Sequence, residues 1–389
     1  MVAMNKNIEK LLEKIIQQNE MLIQEQDSKK KAEEKLPERA LEEATSERSV
    51  IGQKISLTEL LDTNTKLIKD MLDGSKLIVN RYTIGRNAKT NVHIFYVKDL
   101  VDKVTLSQVK AKISKLEVNY LINLEVIIDE LKPKGSGLFP TTKYTERYDT
   151  MVSDLLQGKV VVICDHTPYA LVAPITFWEL FQTEVEYSTS YGAFTNRLMR
   201  MFGFLLNVFL PSVYIAMEKF HLGDIKSEII KGWFEGKEVL SPFWEMVIII
   251  FVFKIASDVS LHIYKSLGLL VTIIATLVVG EYSVTIHLIS DTSLVVAGIA
   301  QLSGLLIIVK GIIPLATTLS WSMLIVANFF GFTGLIIAFT LCFIWATSLK
   351  PFGVPYLSPF IPFKPWEFKD SFWRGDMKKI INSKHSFRE

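Results

Sequence analysis

The sequence predicts an α+β cytosolic domain followed by an α-helical transmembrane bundle of about four spans plus interfacial helices. Residues 1–195 are dense in Lys, Glu, Asp and Arg, whereas residues 201–346 are mostly apolar, in blocks long enough to cross a bilayer. The mean hydropathy of +0.28 averages these two halves. We therefore expect four segments: a charged helix and flexible linker at 1–50, a soluble α+β domain at 55–195, a transmembrane bundle at 196–350 and a basic cytoplasmic tail at 351–389.

The first segment contains 20 charged residues. Its apolar seam has the 4-3-4-3 spacing of a helix and consists of Ile8, Leu12, Ile15, Asn19 and Leu22. The seam is shorter than the three or four heptads of a coiled coil. Two interpretations stay open: a solvated helix that leads into a flexible linker, or a self-association helix. No apolar h-region follows the N-terminus, so we expect no cleaved signal peptide and a cytoplasmic soluble half.

The α+β domain begins with apolar residues at helical spacing from Leu57 to Leu72, and Gly74 is a natural stop. The β-branched runs Lys76–Ile84 and Asn91–Val97 are typical of strands. The remaining predicted elements are helices at Thr105–Leu116 and Val118–Leu131, a loop at Pro133–Pro140 and a strand pair at Lys159–Cys164 and Tyr169–Ala173.

A helix that crosses a bilayer needs about 20 apolar residues. Four blocks meet this length: Met201–Met217, Leu267–Ile289, Ser293–Ile313 and Leu324–Ala346. The block Phe243–Tyr264 is ambiguous, because it carries charges that are costly in hydrocarbon unless they face protein or water. We expect this block to be interfacial, re-entrant or enclosed in an assembly.

Both ends of the apolar half are basic. Arg197 and Arg200 flank the first predicted span, and the tail after Lys350 is rich in Lys and Arg. The positive-inside rule then places both ends in the cytoplasm, which agrees with an even number of spans.

The chain lacks the motifs of common catalytic sites. It has no Walker loop, no G-x-G-x-x-G after a strand, no H-E-x-x-H and no G-x-S-x-G. The six histidines are scattered, and we expect Cys164 and Cys342 to be plain buried thiols. The net charge of +2 gives no case for nucleic acid. We therefore predict a protein that is not an enzyme and has no metal site or cofactor.

Two groups of residues are candidates for pore lining or gating. Thr272, Thr276 and Ser283 lie near one stripe of a predicted span, beside Gly280; small and polar residues at such positions line a pore or serve plain helix packing. Lys254 and Asp258 are four residues apart on one helix face, where they form a structural ion pair or act in gating. Both alternatives stay open for each group.

Short sequence motifs in the charged half and after the apolar half resemble those of a known family. In the soluble half they are Tyr82–Arg86, Lys89–Val92, Phe139–Pro140, Tyr144–Arg147, Thr167–Tyr169 and Pro174–Phe177. After the last predicted span they are Phe352, Gly353, Val354, Pro355, Tyr356, Leu357, Ser358 and Pro359. In this order they resemble the A-subunit family of GerA-type spore germination receptors, over roughly residues 58–375, as a shortened and divergent member.

The resemblance implies a multi-pass protein of the inner membrane of the bacterial endospore. It implies a nutrient germinant receptor with a transporter-like B subunit and a lipoprotein C subunit as partners. It also implies that the A subunit is a homo-oligomer that forms or regulates a cation-release channel and initiates germination. The alternative is a non-conducting scaffold or accessory subunit of the same complex.

Several positions depart from the family pattern. The family places glutamates where this chain has Ile250 and Lys254, and Asp258 keeps the last acid. Leu315 and Ala316 replace an Asn-Tyr pair, and the arginines of the following helix are absent from residues 321–329. These departures favour the scaffold alternative.

Overall fold

The computed structural model describes residues 55–133, 135–182, 190–220, 239–262, 273–274, 277, 283–285, 287–307, 309–365 and 368. They belong to the second of the two units into which the chain divides, Glu43–Glu389. The predicted helix and linker at 1–50, the tail beyond 368 and the candidate residues Thr272, Thr276 and Gly280 lie outside the described residues.

Helices and strands alternate in the first half of the described chain, and helices alone follow. The helices are α1 (Leu61–Met71), α2 (Lys103–Lys115), α3 (Glu125–Leu131), α4 (Tyr148–Leu156), α5 (Ser190–Phe220), α6 (Pro242–His262), α7 (Ser283–Thr285), α8 (Asp291–Gly304) and α9 (Ile313–Ser348). The strands are β1 (Leu77–Ile84), β2 (Thr90–Val97), β3 (Lys143–Thr145), β4 (Val160–Cys164) and β5 (Ala170–Ala173). Short 3₁₀ turns lie at Trp178–Phe181, Lys310–Ile312 and Pro351–Gly353.

The five strands form one antiparallel sheet in the order β1-β2-β4-β5-β3. Val162 of the central strand pairs with Ile94 on one side and with Leu171 on the other. Every residue of β4 is buried, because helices cover both faces of the sheet. A strand buried on both faces is a continuous apolar run, and this explains the sequence VVVIC.

Alternate residues of β4 face two separate cores, as the two-residue period of a strand requires. Val162 packs in the core that contains residues of α2 and α3. Val161 and Ile163 pack in the core that contains residues of α1 and α4. The described residues 55–182, which we call the sheet domain, are therefore three layers, helices on sheet on helices.

The predicted pairing of the two apolar runs at 159–173 is confirmed as the antiparallel pair β4–β5. Two elements were missed, β3 and α4, because the first has three residues and the second follows it after only two. The helix predicted at Val118–Leu131 was too long, since only Glu125–Leu131 is helical. Arg86 and Asn87 bond the carbonyls of residues 118 and 119, which holds that part of the chain extended against the β1–β2 turn.

The residues after 190, which we call the helical region, contain two helices long and apolar enough to cross a membrane among those described. They are Gly192–Phe220 within α5 and the whole of α9. Four spans are therefore not shown, and the described part of the chain contains two such helices. Of the predicted span Leu267–Ile289 only short pieces are described. The ambiguous block Phe243–Tyr264 corresponds to one helix, α6.

The predicted span Ser293–Ile313 is wrong as a single crossing. The helix in this region, α8, has 14 residues and ends at Gly304. At 1.5 Å per residue it is about 21 Å long, shorter than the hydrocarbon core of about 30 Å. Three successive i→i+3 bonds from the amides of Leu305, Leu306 and Ile307 turn the chain at its end.

Helix α9 folds back on itself at Gly331. This glycine has φ 57° and ψ −148°, a backbone conformation that is essentially limited to glycine. Both ends of α9 lie against adjacent residues of the sheet domain: Gly311 packs on Pro140, and Trp345 packs on Phe139. A straight helix of this length would separate its ends by about 50 Å, so the two halves of α9 form an antiparallel hairpin.

Helix α5 runs along this hairpin. Asn207 in its middle accepts a hydrogen bond from Ser320 at its carbonyl, and its side chain donates to the carbonyl of Ala300 on α8. At the end of α5, Lys219 donates to the carbonyl and side chain of Asn328 beside the hairpin tip. Hydrogen bonds from amides and hydroxyls, such as those of Asn207 and Ser320, are typical of contacts between helices in membranes.

Candidate functional site

The sheet domain meets the helical region at a site made of three segments, residues 135–142, 174–182 and 349–359, which we call the junction. The family motif at 352–359 forms its centre. Phe352 is buried in the core that α2 and α3 share with the sheet. Tyr356 and Leu357 are buried in the core of the helical region. One short segment of chain is thus anchored in both cores.

The backbone conformation of the motif explains how it reaches both cores. Phe352 has φ 55°, which is unusual for a bulky residue and marks a locally constrained turn. The following residues are held by hydrogen bonds from the amide of Tyr356 to the carbonyl of Leu349 (3.0 Å) and from the amide of Phe177 to the carbonyl of Tyr356 (2.9 Å). The indole Nε1 of Trp178 donates to the carbonyl of Leu357 at 3.1 Å.

Aromatic rings fill the space around Tyr356. The Tyr356 ring contacts Phe139 and Phe177 edge to face, with centroid distances of 5.7 and 6.0 Å. Phe177 in turn contacts Phe204 of α5 at 6.1 Å, and Phe139 contacts Trp345 of α9 at 5.0 Å. The cluster therefore joins the sheet domain to both long helices through edge-to-face pairs.

Tyr356 is completely buried, and its hydroxyl has no hydrogen-bond partner among the described residues. Burial raises the pKa of this phenol above its usual value, so it is neutral at physiological pH. An unpartnered buried hydroxyl costs free energy, so the packing of the ring, and not the hydroxyl, holds this residue in place.

A second contact anchors the loop 135–142 to α9. The indole Nε1 of Trp345 donates to the carbonyl of Gly135 at 2.9 Å. Gly137 has φ 55°, and a Cβ added there would lie 2.5 Å from the Trp345 ring. Glycine is therefore required at position 137 both by the backbone conformation and by the closeness of the indole.

A buried cluster of charges lies where the sheet domain approaches α5. The ammonium of Lys159 is 2.8 Å from Asp154 and 2.5 Å from Glu179, and Lys143 is 2.8 Å from the other oxygen of Asp154. Thr176 donates to the second oxygen of Glu179 at 3.1 Å. Since Glu179 belongs to the 3₁₀ turn before α5, the cluster ties that turn to β4 and α4.

The pKa shifts in this cluster follow from burial and pairing. Burial alone would raise the pKa of Asp154, but the ammonium groups of Lys143 and Lys159 hold it below its usual value. Burial alone would lower the pKa of Lys159, but its two carboxylate neighbours raise it. Both groups are therefore charged at neutral pH, and each compensates the buried charge of the other.

A cavity of about 640 Å³ opens beside the junction. Its walls come from α3, from residues 137–144, from the turn at Thr167–Tyr169 and from the start of α9 at Pro314. Tyr144 donates to Glu125 at 2.7 Å on its wall, and burial and this carboxylate raise the pKa of the Tyr144 phenol. The cavity separates the domain from the helices on one side of the junction.

The described candidate residues of the apolar half, Lys254, Asp258 and Ser283, are not part of the junction. Lys254 and Asp258 lie on α6, where both are exposed in the single chain. Ser283 lies in α7. No group of three or more His, Cys, Asp or Glu that could hold a metal ion occurs in the described part of the chain.

Sequence reasoning missed the charge cluster around Lys159. The cluster had one available signal: Lys159 directly precedes a fully apolar strand, where a lysine is costly unless it is paired. The sequence has no pattern that identifies Asp154 and Glu179 as the partners of Lys159.

Comparison with known proteins identifies the family. The family model described as Bacillus/Clostridium GerA spore germination protein matches residues 1–386. Spore germination protein XA of Bacillus anthracis is 27% identical over 363 residues, covering 91% of this chain and 73% of the relative. Spore germination protein KA of Bacillus subtilis is 26% identical, covering 87% of this chain and 62% of the relative.

The membrane protein YfkQ of Bacillus subtilis is 27% identical, covering 87% of this chain and 66% of the relative. The chain thus spans about two thirds of the length of several relatives. Among solved structures, the N-terminal domain of the A subunit of the Bacillus megaterium spore germinant receptor GerK3 is 25% identical and covers 31% of this chain and 97% of that domain, with a TM-score of 0.26. Because the family model covers nearly the whole sequence, the chain belongs to the GerA spore germination protein family.

Proposed function

We propose that this protein is the A subunit of a nutrient germinant receptor and acts with a transporter-like B subunit and a lipoprotein C subunit in the spore inner membrane. In this proposal it forms a homo-oligomer that makes or regulates a cation-release channel and so initiates germination. Family membership and the spore germination proteins among its relatives support the proposal. It assigns the chain no catalytic role.

The observation that carries the proposal is the double anchoring of residues 352–357. Phe352 is buried in the sheet domain, and Tyr356 is buried among the long helices only four residues later. A displacement of the helices relative to the domain must therefore move one of two well-packed side chains. This arrangement suits a protein in which an event at one region changes the other.

The proposed topology follows from the helical hairpin. Helix α5 crosses the membrane once, and the two halves of α9, each about 26 Å long, cross it twice. Both ends of α9 contact the sheet domain, which supports a cytoplasmic location for residues 351–389 together with the domain. Residues 267–289 supply a further crossing.

The pore assignment is also a proposal. Thr272, Thr276, Gly280 and Ser283 line the conducting path, and Lys254 and Asp258 act in gating at the surface of α6. The exposure of Lys254 and Asp258 in the single chain supports this, since charged groups on an apolar helix need water or a neighbouring subunit.

The test is K⁺ flux through liposomes that contain the purified full-length chain, with chemical cross-linking to measure its oligomeric state. We expect an oligomer and a K⁺ flux that rises in Lys254→Glu, because an added carboxylate attracts cations. Lys254→Gln is the matched control, and it should raise the flux less. A monomer that passes no K⁺ would contradict the channel proposal.

The scaffold alternative is favoured by the residues that replace family acids. Ile250 is buried and Lys254 is a cation, so a family pattern of carboxylates on α6 is reduced to Asp258. A scaffold predicts that deletion of the gene removes the B and C subunits from the spore membrane. It also predicts that the purified chain carries no K⁺ flux, with or without Lys254→Glu.

A further inference from the structure

An apolar crevice opens sideways between α5 and the two halves of α9. It has a volume of about 210 Å³, and no polar atom contributes to its walls. Leu205 of α5 and Phe343 of α9 form its two walls, and Leu319 and Met323 form the floor. Phe209 and Phe339 also line it, and their rings meet edge to face at 5.6 Å. We call this gap the lateral crevice.

The floor and the mouth of the lateral crevice differ in exposure. Met323 on the floor is 3% exposed, whereas Leu205, Phe339 and Phe343 at the mouth are 39, 48 and 46% exposed. The mouth of the crevice therefore lies on the exposed surface of α5 and α9. An apolar occupant would gain dispersion contacts with every wall of a crevice of this size.

The length of the crevice matches one leaflet of a bilayer. Its wall on α5 runs from Met201 to Phe209, about 12 Å along the helix axis. Half of the hydrocarbon thickness of a bilayer is about 15 Å. The crevice runs along the helices, as a lipid tail does.

One end of the crevice has the residues of a membrane–water interface. Trp178 lines this end, and tryptophan is enriched at such interfaces. The guanidinium of Arg200 lies there too, within 3.4 Å of the carbonyl of Phe181, whose ring packs on Phe204 of the crevice wall. A cation at the interfacial end of an apolar crevice is complementary to a phosphate above a hydrocarbon tail.

We propose that the lateral crevice binds one acyl chain of a bilayer phospholipid, with the headgroup at the Arg200 end and a preference for anionic headgroups. The bound chain would contact Phe139, Phe177 and Leu357, so it would pack directly against the junction. The inference rests on α5 and α9 lying in a bilayer but not on channel activity, so a chain that passes no K⁺ would leave it standing.

The test is native mass spectrometry of the full-length protein released from nanodiscs made of equal parts phosphatidylglycerol and phosphatidylcholine. We expect one retained phospholipid per chain, with phosphatidylglycerol several-fold in excess. Leu205→Trp fills the mouth of the crevice and should reduce the retained lipid at least fivefold. Arg200→Gln should keep the lipid but lose most of the headgroup preference.

The matched control is Leu341→Trp, the same substitution at a residue on α9 that is 62% exposed and does not line the crevice. It should retain lipid as the wild type does, and both tryptophan variants should share its unfolding temperature. Equal lipid retention in Leu205→Trp and Leu341→Trp would overturn the proposal. So would a wild type that retains no lipid, which would indicate that a protein segment or a second copy fills the crevice.

Discussion

The sheet domain and the helical region differ in how their polar groups are paired and in which apolar side chains they expose. The sheet domain buries full charges and pairs them with one another, as in the cluster around Lys159. The helical region also buries charges, at Arg197 and Glu245, but it joins its helices mainly through amides and hydroxyls such as those of Asn207 and Ser320. It exposes large apolar side chains such as Phe329 and Phe330. This difference supports the proposal that lipid surrounds the long helices.

The junction differs from both regions, because aromatic rings and not polar groups make most of its contacts. Phe139 and Tyr356 at its centre are buried, whereas Phe177 is partly buried and Trp345 is 37% exposed. Both regions contribute rings, and the hydroxyl of Tyr356 has no partner among the described residues. The junction is therefore the place where the comparison between the two regions can be tested most directly.

The largest effect is expected for Lys159→Met, which leaves Asp154 and Glu179 buried next to an apolar side chain. Breaking a buried ion pair by removing one partner costs about 3–5 kcal/mol. The unfolding temperature of the full-length protein in detergent should fall accordingly. Lys132→Met, which breaks an exposed pair with Asp129, is the control and should change stability by less than about 1 kcal/mol.

The next effect concerns the ring of Tyr356. Tyr356→Ala removes a fully buried ring and should cost about 3–5 kcal/mol, because it leaves a cavity between the two cores. Tyr356→Phe keeps the ring and removes an unpartnered hydroxyl, so its stability should equal or exceed that of the wild type. A loss in Tyr356→Phe close to that in Tyr356→Ala would show that the hydroxyl has an essential partner.

A smaller effect is expected at Gly137. Gly137→Ala places a Cβ against the indole of Trp345 and should cost about 1–3 kcal/mol in addition to the strain of its positive φ. Gly135→Ala is the matched control, because its φ is also positive and a Cβ there has open space. Similar unfolding temperatures for the two variants would mean that the contact with Trp345 contributes little.

The smallest effect near neutral pH is the pH dependence of stability, because stability changes only in acid or in alkaline solution. The pKa of Asp154 is lowered by folding, so its stabilising contribution is present above its unfolded pKa of about 3.9 and is lost as the pH falls through its folded pKa. The pKa of Lys159 is raised, so its contribution is present below about pH 10.4 and is lost as the pH rises through its folded pKa.

Unfolding temperatures of the wild type and Asp154→Asn, measured from about pH 9 down to pH 3, check the sign for Asp154. The difference between the two proteins should be constant from about pH 6 to 9 and should shrink below about pH 3.9. A difference that is unchanged at pH 3 would contradict the assignment of the charged state to Asp154.

Local patterns predicted much of the sheet domain. The runs that became β1, β2, β4 and β5 are rich in β-branched residues and bounded by turns, so they could be predicted without the fold. The three-residue strand β3 and the following helix α4 gave no such signal. Their conformation depends on pairing with β5 and on packing against the sheet, and neither leaves a period in the sequence.

The predictions for the helical region were less accurate. Hydropathy shows how long and how apolar a segment is, but it does not show where the chain reverses. The block Leu324–Ala346 was predicted as one span, whereas the chain of α9 reverses inside it at Gly331. A single glycine inside an apolar helix is common, and its φ cannot be read from its neighbours. Pore candidates such as Thr272 remain predictions, since they lie outside the described residues.

The sequence by itself determined that one half of this protein is charged and the other apolar, and its motifs determined the family. These properties depend only on composition and on the order of short motifs along the chain, and neither depends on how the chain folds. Only the tertiary structure decided that residues 135–142 meet Trp345 and Tyr356, that α9 is a hairpin and that Lys159 has two carboxylate partners. Contacts between residues about 200 positions apart depend on how whole elements pack, and no local period of the chain encodes that packing.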